Sequence, residues 1–194
     1  MQVRAARTRE AIIRGAAERM DAQGYRGASL ADICRSSDVS VGALVFHFRD
    51  KTGLAEAVVE AGSATARATA EAASQEYDSP LHAVGTLLRA LTVLLREDVV
   101  VRASALLARE RPDIAAHWHD AWTPRLTELV EQADTRGELA PEVEPGLVTA
   151  LADRLMTAAE AYPRTRRPEH CPDPGLEVTR LWSLIQRGIA NRRT

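Results

Sequence analysis

The sequence predicts an all-α protein, with short helices in its first third and longer ones after it. Ala, Leu and Arg abound, aromatic residues make up 4% of the 194 positions and β-branched runs are scarce, a balance that favours helices packed on helices over a sheet. Apolar residues recur three and four apart through most of the chain. Serines and aspartates stand where helix starts need an oxygen to accept the first free backbone N–H groups.

The first helix is read from Arg4 to Gln23, where Ile12, Ile13, Ala16, Ala17 and Met20 form one apolar stripe and Gly24 stops it. After GYRGA, Ser29 opens the capping pattern Ser-x-x-Asp, and a short helix anchored by Leu30 and Ile33 runs to Arg35. The turn SSDV leads to Ser40, a second N-cap, and to a helix of less than two turns from Val41 to His47. Asp50 caps the next helix, which runs from Lys51 into the 70s. Ser79 and Pro80 start a core helix whose Leu81, Val84, Leu87, Leu88, Leu91, Leu94 and Leu95 cover a broad apolar face. Segments from Val99 to Glu110 and from Ile114 to Gly137 follow. Pro124 falls inside the second, so the chain is expected to bend near Trp122. Pro145 opens a helix to Tyr162, PRTRRPEHCPDPG reads as a surface loop, and a last helix runs from Leu176 to Ala190. The final two helices are candidates for a dimer interface.

Cys34 and Cys171 lie far apart without metal-ligand spacing, so neither a disulfide framework nor a metal or cofactor site is indicated. His117, His119 and Asp120 do not change this, because His-x-His on a helix points the two rings to different faces. No pattern sets a nucleophile beside a base, so catalysis is not expected. There is no charged-then-apolar leader and no apolar run approaching ~18 residues, and a cytoplasmic protein with no membrane partner is expected. The net charge of -2 argues against a generic nucleic-acid binder, yet it is unevenly spread. Residues 1–51 hold nine basic against six acidic residues, a net +3, and the remainder carries -5.

Two short helices joined by a tight turn behind a longer one make a helix-turn-helix unit, whose second short helix enters the DNA major groove. Residues 1–50 are therefore assigned to a DNA-binding domain and 51–194 to a larger helical domain. Arg4, Arg7, Ser29, Ser40, Val41, Gly42, Ala43, His47 and Lys51 are the candidate DNA contacts. Gly42 and Ala43 let the helix approach closely while the polar residues reach the backbone.

The stretch RTREAIIRGAAERMDAQGYRGASLADICRSSDVSVGALVFHFRDKTGLAEAV resembles the TetR family of transcriptional repressors, in which such a unit joins a divergent helical domain for ligand binding and dimerisation. VRASALLARE, the tryptophan of HDAWTPRL followed by RGEL, LMTAAE and LWSLIQRGI narrow the resemblance to the γ-butyrolactone receptor group of actinobacterial regulators. It implies a homodimer on double-stranded operator DNA, released by a small hydrophobic signal, in the control of secondary metabolism. It also places Trp122 at a tryptophan that closes the signal pocket and Thr157 at a threonine that hydrogen-bonds a lactone carbonyl. Gly62 stands where many members have a pocket-lining glutamine, which removes a polar handle and opens space. A butenolide or an antibiotic-like molecule then fits as well as a γ-butyrolactone.

Trp118, Leu88 and Met156 complete the candidate pocket; Trp118, one turn before Trp122, reads equally as surface, whereas Trp122 and Met156 have a plain core reading beside them, because tryptophans and apolar stripes pack interiors. The family usually has lysine at Val41, tyrosine at Val45 and glycine at Asp38. Aspartate tolerates the left-handed conformation, so the turn is expected to survive. Losing a phosphate contact lowers affinity, and losing a base contact costs about 1–3 kcal/mol of discrimination. DNA binding with an altered preference is the expectation; the alternative is a ligand-binding or heterodimerising relative that has lost productive DNA binding.

Overall fold

A computed structural model describes residues 2–75, 77–114, 117–161 and 174–191. Among the described residues the chain is helical, with one isolated antiparallel bridge between Leu139 and Ala190. The order is α1 (Gln2–Gly27), α2 (Leu30–Ser37), α3 (Val41–His47), α4 (Lys51–Ala73), α5 (Pro80–Glu97), α6 (Val99–Glu110), α7 (His117–Asp120), α8 (Thr123–Thr135), α9 (Pro145–Glu160) and α10 (Pro174–Ile189). Two compact units share these helices. The first is Met1–Ala66 with Leu95–Ala121, the second Arg67–Leu94 with Trp122–Thr194. The unit that holds the helix-turn-helix module thus reaches beyond residue 50, taking in most of α4 and all of α6 and α7.

In the first unit, the stripe predicted on α1 is buried at Ile12, Ile13, Ala16, Ala17 and Met20, and it meets Ile33 of α2, Leu44 of α3, Leu54 and Val58 of α4 and Leu107 of α6. Gly24 interrupts α1 as expected: at φ +73° and ψ 170° it is not helical, and only a short turn runs on past this kink to Gly27, while the neighbouring Tyr25 N–H donates to Glu110 Oε2 at 2.7 Å. A Cβ on Gly24 would sit 2.8 Å from Glu110 Oε1, so conformation and contact both call for glycine here. Arg102 adds a second tie between α6 and α1, through Asp21 at 3.3 Å. Asp98 starts α6 by accepting from Val100 N at 2.7 Å.

The break expected near Trp122 is present, with a different cause from the one expected. Residues 114 to 137 are not one helix kinked at an internal proline. α7 ends at Asp120, and Pro124 sits in the first turn of α8, where its missing N–H costs nothing. Glu138 reaches back to the start of α5, accepting from Leu81 N and Ser79 Oγ, both at 2.9 Å. Arg125 closes the end of α4, donating from Nε to Ser74 Oγ at 2.7 Å and from Nη2 to Ser74 O at 3.1 Å. α9 packs against α8 and α10. The stretch predicted as a proline-rich loop lies outside the described residues as far as 173, and its last two residues, Pro174 and Gly175, begin α10.

Candidate DNA-reading surface and ligand-pocket residues

The reading module is built by local chemistry. Ser29 Oγ accepts from Asp32 N at 3.1 Å and donates to Asp32 Oδ2 at 2.6 Å. Aspartate is one methylene shorter than the glutamate of a full capping box, and its carboxylate here takes the serine hydroxyl instead of a backbone N–H. That hydroxyl proton, more than the nearby Arg35 and Arg19, holds the Asp32 carboxyl below the usual carboxylate range, and partial burial opposes the shift. Asp38 ends α2 in the left-handed region, φ 52° and ψ 45°, the turn expected of it. Ser40 then caps α3 by accepting from Ala43 N at 3.1 Å. Leu44 and Phe48 are the buried anchors, and the Arg9 guanidinium lies 5.3 Å from the centre of the Phe48 ring.

With Leu44 inward, α3 must turn its other side to solvent. Val41 is 60% exposed, Val45 55% and Phe46 82%, and Gly42 is exposed among them. A Cβ on Gly42 would meet only Ser40 Oγ, at 3.9 Å. The fold of the free chain therefore does not require this glycine. Ala43 and His47 are half-buried, and His47 lies edge-on to Phe46 with ring centres 5.2 Å apart. Arg4 and Arg7 are exposed on the first turns of α1. Both lone-pair and proton sides of the Ser29 hydroxyl are used inside its cap, whereas the Ser40 proton has no partner among the described residues. Lys51 is more constrained than expected: its Nζ donates to Arg26 O at 3.4 Å and sits 4.5 Å over the Tyr25 ring.

The same ring holds a second cation. The Arg111 guanidinium stacks 4.4 Å from the Tyr25 centroid and pairs with Asp113 at 2.6 Å, while Tyr25 Oη lies 3.1 Å from Thr52 Oγ1. One tyrosine thus joins the ends of α1 and α6 to the start of α4. The Asp113 carboxyl is held low by the Arg111 side chain.

The residues expected to line a ligand pocket fare unevenly. Trp118, in the first unit, and Trp122, in the second, are fully buried. Leu88 and Met156 are fully buried in the second unit and are brought together by Thr92, whose hydroxyl donates to Leu88 O at 2.8 Å and lies 3.7 Å from Met156 Sδ. Thr157 is exposed, with its hydroxyl donating to Asp153 O at 3.1 Å in its own helix. The buried face of α9 is Val148, Ala152 and Met156, and a residue one step further turns about 100° away from it. Gly62 opens no space either. A Cβ there would lie 2.5 Å from Ser104 Cβ and 3.0 Å from Val100 O, so the missing side chain is the room α6 already occupies. Ser104 Oγ, donating to Val59 O at 3.2 Å, closes this crossing of α4 and α6.

Phe46, the most exposed large residue of α3, was not among the sequence-derived contacts. Its position four after Gly42 and opposite Leu44 was the available signal.

Comparison with known proteins agrees with this geometry. Residues 12–58 match the bacterial regulatory proteins of the tetR family. The module is that of the tetR family, and the chain as a whole resembles the γ-butyrolactone receptors. It is 30% identical over 192 residues to the A-factor receptor protein of Streptomyces griseus, across 98% of this chain and 66% of that protein, so it spans just under two thirds of that relative's length. The crystal structure of an ArpA-like γ-butyrolactone receptor superposes with a TM-score of 0.77 at 26% identity, over 98% of this chain and 91% of that one. CprB from Streptomyces coelicolor, a TetR family protein studied in complex with its biological operator sequence, gives 0.78 at 27% identity, over 98% and 92%.

Proposed function

We propose that the chain is a dimeric, ligand-responsive repressor that binds an operator through α3 and leaves it when a small hydrophobic signal binds. The observation that carries this reading is the intact module: two N-capped helices, a left-handed turn at Asp38, and an α3 whose outward face is free to enter a groove. Exposed Arg4 and Arg7 and the Ser40 hydroxyl supply phosphate contacts beside it. The likeness to an operator-bound relative supports the same assignment.

Dimerisation is proposed through α9 and α10, where Leu147, Leu151, Leu181 and Leu184 are exposed although leucine gains from burial. Two copies related by a two-fold axis would set their α3 helices on half-sites about 34–36 Å apart. For the signal, the second unit offers the buried Trp122 and the Leu88–Met156 cluster, an apolar setting for a γ-butyrolactone, a butenolide or an antibiotic-like molecule. A signal that favours the wrong spacing of the reading heads would couple the two events by about 1–3 kcal/mol. α4, like α5, contributes residues to both units and is one covalent link for that coupling. Control of secondary metabolism is proposed on the likeness to the A-factor receptor.

The test is selection of duplexes from a random pool by the full chain, followed by addition of synthetic γ-butyrolactones and butenolides. Enrichment of a two-fold-symmetric site, released by one of these compounds with a change in tryptophan fluorescence, is the expected result. Enrichment of no duplex contradicts it.

A further inference from the structure

α3 carries no side chain suited to the usual hydrogen-bonded reading of bases on the face it shows to solvent. Its seven residues are VGALVFH, and the exposed ones are Val41, Gly42, Val45 and Phe46. His47, the single polar side chain, is half-buried in the last turn. Val41 and Val45, one helical turn apart, lie side by side on the helix surface. Arginine or asparagine forks, which read guanine or adenine edges, are absent from this helix. In the major groove the feature that an isopropyl group can recognise is the C5-methyl of thymine.

We propose that Val41 and Val45 determine sequence preference by packing on thymine methyls. The proposal rests on the DNA-binding reading above and names what that surface recognises. DNA is the occupant favoured by charge: the surrounding residues 1–51 carry a net +3 on an otherwise acidic chain, with Arg4, Arg7, Arg35 and Arg49 exposed. Gly42 adds independent support, since nothing in the free chain fills the place of its side chain and the groove floor can come close there. Burying one methyl against a valine changes affinity about fourfold. A thymine contacted in both half-sites of a dimer site changes it about fifteenfold.

The experiment starts from the duplex enriched by selection with the full chain. Each thymine is replaced by deoxyuridine together with its symmetry mate in the other half-site, which removes both methyls and keeps the base-pairing and hydrogen-bonding edges. Dissociation constants are measured for the wild type and for the V41A/V45A variant. Both valines are exposed, so truncation leaves the fold intact, which circular dichroism and the unfolding midpoint check. The expected result is a loss of about fifteenfold at one or two symmetric thymines for the wild type, shrinking to less than about twofold in the variant. An enriched site without fixed thymines overturns the proposal, as does a wild-type affinity indifferent to deoxyuridine. An equal loss in both proteins assigns the methyl effect to DNA shape and overturns it too. Enrichment of no duplex at all removes the DNA-binding reading and this inference with it.

Discussion

The chain exposes apolar side chains on two helical surfaces, and their surroundings set them apart. On α3 they are Val41, Val45 and Phe46, in a segment with more basic than acidic residues and beside a serine whose hydroxyl proton has no partner among the described residues. On α9 and α10 they are Leu147, Leu151, Leu181 and Leu184, on helices where Asp153, Glu160 and Glu177 balance Arg154, Arg180 and Arg187. Exposure alone would class both as surfaces awaiting a partner. Charge and side-chain shape separate them: leucines on helices without net charge suit a second copy of the chain, and valines in a segment of net +3 suit a polyanion that carries methyl groups.

The largest effect is expected where one surface is made to fail without touching the other. Leu151→Glu with Leu184→Glu puts charge on the leucine surface and leaves α3 unchanged. The protein should sediment as a monomer, and operator affinity should fall by about 10²-fold or more, because the two half-sites no longer act together. A monomer that binds as tightly as the wild type would break the comparison.

Two glycines sharpen it further. Gly62→Val forces methyl groups into the crossing of α4 and α6, where the first added carbon already meets Ser104 Cβ at 2.5 Å. A loss of about 1–3 kcal/mol is expected in the unfolding free energy from urea titration. Gly42→Ala should leave that free energy within about 0.5 kcal/mol, since its place is open. Operator affinity should nevertheless fall. Ser40→Ala, which removes the cap on Ala43 N, should cost about 1 kcal/mol in the same assay.

The smallest effect is a pH dependence. The Asp32 pKa is lowered in the folded chain, first by the Ser29 hydroxyl. Its contribution to stability is therefore complete above the unfolded value of about 3.9 and is lost as pH falls through the folded one. In a carboxyl-carbon titration by NMR, Asp32 should titrate below the ordinary range in the wild type and move up in Ser29→Ala.

What the sequence revealed, and what it hid, follows from distance along the chain. The caps at Ser29, Ser40 and Asp50 and the turn at Asp38 were legible because each is settled within three or four residues. The buried stripe of α1 was legible from its period. Glu138 was not, because its partners Ser79 and Leu81 lie 59 and 57 residues away and no local pattern announces them. Gly62 was misread for the same reason: a missing side chain leaves a cavity only if no neighbouring helix has moved in, and Ser104 of α6 has. Thr157 shows how fine the angular margin is, since Met156 beside it is fully buried.

The most direct test of the central claim is a fluorescence-anisotropy titration of the full chain against its selected duplex and a scrambled duplex, each at two salt concentrations. The account predicts tight binding to the selected duplex that weakens steeply as salt rises, through release of phosphate counterions, and much weaker binding to the scrambled one. Equal binding to both duplexes at both salt concentrations would contradict it.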